Sequence, residues 1–207
     1  MFSLNYLNRL VVNFRGPLFR KWSGRRCVHQ PLLLELLEDR YLLSGNVHAF
    51  VSGPNLFVFG DSASNSVEIA PDNGRIVVQG TENTKVNGSS DPFVAFTGTS
   101  RIGGSLFVFL RQGNDRLLVD DGLTIHHSAF VFGEDGNDSI GLGRITIEDN
   151  LMLFAAGGND QIALQNTRIL RDAIIFAESG NDTFSALDAR IGNNLLLFGG
   201  EGDNAVS

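Results

Sequence analysis

A Gly-Asn-Asp triplet recurs through the second half of the chain, and its residue types suit a cation. It occupies residues 113–115, 136–138, 158–160 and 180–182, and a permuted copy, Gly202-Asp203-Asn204, follows. Carboxylate, amide and backbone carbonyl oxygens are the ligands that Ca²⁺ prefers. The same residues suit a metal-free turn, because Gly and Asn tolerate positive φ and Asp accepts backbone N–H bonds. A purely structural turn and a turn that also binds calcium both remain open at this point.

The apolar residues around the triplets repeat in the same register, at steps of 23, 22, 22 and 22 residues. Four columns follow this register: Phe109, Phe132, Phe154, Phe176 and Phe198; Phe107, Phe130, Met152, Ile174 and Leu196; Leu117, Ile140, Ile162, Phe184 and Val206; and Ile125, Ile147, Ile169 and Ile191. The apolar pieces are short and partly alternating, which favours strands over helices. Three short strands in about 22 residues predict one coil of an all-β parallel β-helix, or solenoid.

The repeat divides the chain into three parts. Residues 107–207 are predicted to form the regular coils, and residues 46–106 are a degenerate version that we expect to form N-terminal coils or a cap, with a hairpin turn at Asp72-Asn73-Gly74. Residues 1–45 form a basic leader, in which Pro31 and the leucines that follow predict a short helix over 32–43.

One strand of the predicted coil is apolar on both faces. Between the two Phe-rich columns lies an aliphatic column, and successive residues of a strand point to opposite faces. We expect the Phe column to face inward, which leaves the aliphatic column as an exposed stripe. This outward stripe is a candidate contact surface for a polysaccharide or another surface protein; it comprises Val108, Val131, Leu153, Ile175 and Leu197.

Charge and composition exclude several classes of function. Residues 1–45 carry seven basic and three acidic residues, whereas residues 46–207 carry nine and twenty, so the net charges are +4 and −11. An acidic body argues against nucleic acid and favours cations as ligands. No apolar run approaches the 18 or more residues that a membrane-spanning helix needs, so no transmembrane segment is predicted.

No catalytic constellation is evident, so we expect a noncatalytic protein. His29, His48, His126 and His127 lack metal-type spacing with Cys or a further His, and Cys27 falls in the leader. The alternative is a carbohydrate-active β-helix or a polysaccharide-binding module. In that case three arginines near corresponding places on successive coils would bind an acidic sugar: Arg144, Arg168 and Arg190.

The turns resemble the Gly-Gly-x-Gly-x-Asp-x-apolar-x nonapeptide of RTX, or haemolysin-type, calcium-binding repeats. The matching segments begin at Gly133, Ala156, Glu178 and Gly199, with a weaker copy at Arg111. This resemblance implies that Ca²⁺ binds between successive coils. The residues that it assigns to the ion are Asp115, Gly136, Asp138, Gly158, Asp160, Gly180, Asp182 and Asp203.

The leader contains a second resemblance. Leu37-Glu38-Asp39-Arg40-Tyr41-Leu42-Leu43 resembles the Leu-Glu-x-Arg-x-Leu-Leu leader of large secreted or surface proteins of bacteria. It implies a secreted or cell-surface location. Together with the repeat, it leads us to expect an exported, noncatalytic β-solenoid with a structural or adhesive role.

Overall fold

The computed structural model describes residues 45–207, and every regular element in that range is a strand. The leader and its predicted helix over 32–43 therefore lie outside the described residues. No helix within 45–207 is long and apolar enough to cross a membrane.

The described chain begins with six strands that differ from the repeat. They are β1 (Asn46–Ser52), β2 (Asn55–Phe59), β3 (Ser66–Asp72), β4 (Arg75–Gly80), β5 (Lys85–Val86) and β6 (Phe93–Thr97). Strands β1 and β2 form an antiparallel hairpin, and β3 and β4 form a second one at the turn predicted from Asp72-Asn73-Gly74. Strand β6 extends the second hairpin, whereas β5 pairs parallel with β1. Antiparallel pairing at this end covers the edge strands β2 and β3, which would otherwise offer open ladders.

The remaining strands form the predicted coils, each with three strands. The first series is β8 (Leu106–Phe109), β11 (Ala129–Phe132), β14 (Leu151–Phe154), β17 (Ala173–Phe176) and β20 (Leu195–Phe198). The second series is β9 (Arg116–Val119), β12 (Ser139–Gly143), β15 (Gln161–Gln165), β18 (Thr183–Leu187) and β21 (Ala205–Val206). The third is β7 (Arg101–Ile102), β10 (Thr124–Ile125), β13 (Thr146–Ile147), β16 (Arg168–Ile169) and β19 (Arg190–Ile191).

Each series stacks into a parallel sheet in the register of the repeat. Phe109, Phe132, Phe154 and Phe176 are paired in turn, and Ile140 is paired with Leu117 and with Ile162. The first series continues into β2 and β1, and the second into β3 and β4, so that both of these sheets have eight strands. The prediction of a parallel β-solenoid with coils of about 22 residues is confirmed.

The prediction of which face of the first series points inward was wrong. The aliphatic column is inside, since Val108, Val131, Leu153 and Ile175 are completely buried. The Phe residues of the same strands are half-buried on the outer face. The interior receives side chains from three sheets at once, and it is filled by branched aliphatic residues and alanines. No outward aliphatic stripe therefore exists on these four strands, and that proposed partner surface is withdrawn.

Candidate functional site

The Asp residues of the Gly-Asn-Asp turns form a hydrogen-bonded ladder along the solenoid. Asp138 Oδ1 accepts the backbone N–H of Asp115 at 2.8 Å, and Asp160 Oδ1 accepts that of Asp138 at 2.8 Å. Asp182 Oδ1 accepts the N–H of Asp160 at 2.9 Å. We call these four residues the Asp ladder. Asn204 accepts the N–H of Asp182 and so continues the ladder at its C-terminal end.

The Asn residues of the same turns form a second ladder that runs in the opposite direction. Asn114 Oδ1 accepts the N–H of Asn137 at 2.8 Å, and Asn137 Oδ1 accepts that of Asn159 at 2.6 Å. Each triplet is therefore bonded to both neighbouring coils, through Asn to the following coil and through Asp to the preceding one. Asp203 ends the Asn ladder, where its N–H bonds to Asn181 Oδ1 at 2.8 Å. It is not brought into the Asp ladder.

The second oxygen of each ladder Asp, Oδ2, is buried and has no hydrogen-bond partner among the described residues. At the C-terminal end of the ladder, Asn204 carries an amide nitrogen at the position where the Asp residues carry Oδ2. Asn204 Nδ2 donates a hydrogen bond of 3.1 Å to the carbonyl oxygen of Gly199, five residues earlier. Each Asp of the ladder has Oδ2, which has no hydrogen to donate when the carboxylate is ionised, at the position of this Asn204 donor. A buried, ionised carboxylate in this position is costly, so each Oδ2 requires a proton or a cation.

Burial changes the protonation of this ladder. Loss of solvation, together with the neighbouring charges of Asp115 and Asp160, raises the pKa of Asp138 to about 7, although the hydrogen bond from the Asp115 N–H lowers it. Loss of solvation likewise raises the pKa of Asp115 and of Asp160 to about 6. Without a metal, Asp115, Asp138 and Asp160 therefore hold protons at pH values where an exposed Asp is fully ionised.

The candidate glycines keep the turns close together. Gly136, Gly158 and Gly180 have φ of 137°, 135° and 133°, a region that residues with a side chain rarely adopt. A Cβ on any of them would collide with the carbonyl oxygen of the corresponding Gly in the preceding coil. These glycines are thus required by the stacking itself, whether or not a metal binds.

Two oxygen atoms lie close to the side of Gly133 where other residues carry a side chain. A Cβ placed on Gly133 would lie 2.5 Å from Asp138 Oδ2 and 2.7 Å from the carbonyl oxygen of Ala155 in the next coil. In the following two coils Ala155 and Ala177 stand at the position of Gly133, so a methyl group takes that place. No three acidic, His or Cys side chains between residues 45 and 207 are grouped to hold a metal. A calcium ion here would therefore take backbone carbonyl oxygens as further ligands.

The outer face of the first series carries a ladder of stacked aromatic rings. Phe109 and Phe132 have ring centroids 4.8 Å apart and planes within 2°, and Phe154 and Phe176 lie 4.9 Å apart. The second Phe column begins with Phe57, Phe107 and Phe130 and continues as Met152, Ile174 and Leu196. Because each ring face is covered by the next ring, mainly ring edges reach the solvent. We call this surface the Phe face.

A corner between the third and first series gathers unlike charged groups from several coils. Glu148 Oε2 lies 2.6 Å from His126 Nδ1 and 2.8 Å from Arg101 Nη2. Asp149 Oδ2 lies 3.3 Å from His127 Nδ1, and Arg171 Nε lies 3.1 Å from Asp149 Oδ1. This cluster was not predicted from the sequence. The signal was present, since Glu148 and Asp149 follow His126 and His127 by 22 residues each.

The three arginines of the alternative function do not form one row. Arg168 and Arg190 are paired in register on the third series, at the positions of Thr146 and Arg101 in other coils. Arg144 lies two residues before β13 of that series and forms salt bridges with Asp120 and Asp121. Of the three arginines proposed to bind an acidic sugar, only Arg168 and Arg190 therefore lie in one row.

Comparison of the chain with known protein families, with curated proteins and with solved structures found no match.

Proposed function

We propose that this protein is a noncatalytic, exported or cell-surface β-solenoid that acts as a structural or adhesive element and binds Ca²⁺ in its turns. The Phe face is the observation that carries the adhesive part of the proposal. The export part rests on the resemblance of the leader at Leu37–Leu43. The calcium part rests on the unpartnered Oδ2 atoms of the Asp ladder.

The chemistry of the Phe face indicates the surface that it complements. The strands of the first series between residues 106 and 198 contain no charged or hydrogen-bonding side chain. Their outer residues are half-buried, and exposure rises to 46% at Phe198. A flat apolar surface of this kind is typical of a contact site. We assign it an apolar partner surface and not a sugar, because stacking on a sugar ring needs an aromatic face and these faces are covered by neighbouring rings.

Replacing part of the Phe face should weaken apolar adhesion and leave the coils folded. In the triple variant Phe107→Thr/Phe130→Thr/Met152→Thr, Thr keeps a high preference for strands but removes the apolar outer surface. We expect clearly reduced retention on a phenyl matrix and reduced adsorption to polystyrene beads, with the circular dichroism of a β protein retained.

A matched control alters a different outer face. Leu118 and Ala163 are half-buried on the outside of the second series. The double variant Leu118→Thr/Ala163→Thr should retain the adhesion of the wild type. Equal retention of the triple variant and the wild type would remove the adhesive role from the Phe face.

Calcium is expected to stabilise the protein through Asp138. At about pH 8 Asp115, Asp138 and Asp160 have mostly lost their protons, and an ion that binds the folded state raises its stability by mass action. Millimolar CaCl₂, the range of weak extracellular sites, should raise the melting temperature of the wild type. The variant Asp138→Asn should lose this response, since its amide satisfies the ladder without a cation. Asp72→Asn, an exposed change in the hairpin between β3 and β4, should keep it. Absence of any shift in the wild type would remove calcium from the proposal.

A further inference from the structure

We infer that the Phe face binds the Phe face of a second copy of this chain, in a two-fold dimer whose solenoids run in opposite directions. This pairing rests on the proposed function, which assigns the Phe face an apolar partner surface, and it identifies that surface. The two-fold axis lies between the copies, parallel to the strands of the first series, and passes between β11 and β14. Because the same patch serves on both sides, the assembly closes at two copies.

The Phe face is flat, so two copies of it can lie against each other along their length. Successive rings from Phe59 to Phe198 are stacked with planes that differ by no more than 7°. Neighbouring strands of an ordinary sheet are rotated by about 20–25°, so two such sheets separate towards their corners. Six strands spaced by about 4.8 Å would bury on the order of 1,000 Å² in the dimer, which is the lower limit for a specific interface. We therefore expect a reversible dimer.

The second Phe column is aromatic at one end and aliphatic at the other. Its aromatic half comprises Phe57, Phe107 and Phe130, and its aliphatic half comprises Met152, Ile174 and Leu196. An axis between β11 and β14 places β11 over β14, β8 over β17 and β2 over β20 of the partner subunit. Each ring of this column then meets an aliphatic side chain. The bulkier half of one copy thus packs on the slimmer half of the other, which favours copies that run in opposite directions.

One long edge of the Phe face carries charges that become complementary in this dimer. The residues two positions after the first-series strands share a positive φ of 71–75°; they are Arg111, Glu134, Ala156, Glu178 and Gly200. Arg111 and Glu178 are exposed, and neither forms an ion pair with another residue between 45 and 207. The axis places Arg111 opposite Glu178 of the partner subunit. By symmetry each dimer contains two such pairs, which select this arrangement of the copies.

The same charges disfavour the other two-fold arrangements of this face. An axis along the solenoid would place the residues after each strand over those before it, so that Glu178 would face Asp172 of the partner subunit. An axis that coincides with β11 would place Glu134 against Glu134 of the partner subunit. In the proposed dimer the other long edge pairs Ser105 with Asp172 of the partner subunit, a hydroxyl with a carboxylate. Only opposite-running copies with the axis between β11 and β14 therefore avoid directly opposed like charges on both edges.

Sedimentation velocity of the full chain at a series of concentrations tests the dimer. The wild type should change from monomer to dimer as its concentration rises. Arg111→Glu and Glu178→Arg should each weaken dimerisation by about tenfold or more, because each change opposes like charges at both pairs. The double variant Arg111→Glu/Glu178→Arg should dimerise within about threefold of the wild type, because it restores both pairs in reverse. The backbone tolerates these exchanges, since Arg and Glu already occupy this turn position with φ of 74° and 71°.

Two controls separate the dimer from general effects of charge and from apolar adhesion. Arg190→Glu makes the same charge reversal on the third series and should leave dimerisation unchanged. Arg111→Glu keeps the Phe face and should be retained on a phenyl matrix at least as strongly as the wild type. A wild type that is retained on that matrix but stays monomeric at about 100 μM overturns the dimer and leaves the adhesive role in place. The dimer is equally overturned if the single variants associate as tightly as the wild type, or if the double variant associates no better than they do.

Discussion

Raising the pH from about 5 to about 8 in calcium-free buffer is expected to destabilise the solenoid by on the order of 3 kcal/mol. The folded-state pKa of Asp138 is about 7 and those of Asp115 and Asp160 are about 6, against about 3.9 for an unfolded Asp. The folded state therefore binds more protons than the unfolded state across this range. Stability from these groups is fully present below about pH 4 and is lost as the pH rises through 6 to 7.

Urea unfolding at several pH values, in the presence of a calcium chelator, measures how the free energy of unfolding depends on pH. Asp138→Asn should make the free energy of unfolding less dependent on pH. The Asn side chain still accepts the N–H of Asp115 through Oδ1, and its amide nitrogen is a donor at the position where the carboxylate needs a proton. The exposed variant Asp72→Asn should retain the wild-type slope. A wild-type stability that rises between pH 5 and pH 8 would show that the ladder is ionised in the folded protein.

The register of the repeat was enough to predict the coils. The 22-residue spacing of the Phe, Leu and Ile columns fixes which residues become neighbours in a parallel sheet, and the pairings of Phe132 with Phe109 and Phe154 follow directly. The hairpin at Asp72-Asn73-Gly74 was also recognisable, because its turn residues determine local geometry. These features depend on periodicity and local conformation, which a sequence carries explicitly.

The sequence pattern of the first-series strands did not determine which of their two faces points into the core. Phe130 and Val131 are both apolar, so either face satisfies the hydrophobic pattern. A better indicator was the column of Leu106, Ala129, Leu151 and Ala173, which shares its face with Val131. Alternation of large and small residues is typical of an enclosed interior, where volumes must sum to a fixed space.

The motif identified the turn residues, but it did not reveal their environment. Asp138 and Asp160 were recognised from their motif, yet each is only 1% exposed and is bonded to the next coil. A single triplet cannot reveal this, because the bond partners lie 22 residues away. The corner of His126 and Glu148 was missed for the same reason, since its parts become neighbours only after the coils stack.

Placing a methyl group on Gly158 is expected to destabilise the protein by roughly 3 kcal/mol or more. The residue has φ of 135°, which strains any L-residue with a side chain. The added Cβ would also collide with the carbonyl oxygen of Gly136, part of the backbone of the preceding coil. Relief requires separating two coils, which lengthens the neighbouring bonds of both the Asn and the Asp ladders.

Gly141→Ala is the matched control, because it adds the same methyl group to an outward position of β12. There the nearest atom to a new Cβ is Leu118 Cδ1 at 3.3 Å, the end of a flexible side chain, and the paired residue in the next coil is already Ala163. We expect this variant to gain about 0.5–1 kcal/mol, since Ala restricts the unfolded chain more than Gly does. Thermal and urea unfolding of the two variants measure the difference. Equal stabilities for Gly158→Ala and Gly141→Ala would mean that the turns are not held at the spacing that the Gly-Asn-Asp stack requires, and the two ladders would then lose their structural basis.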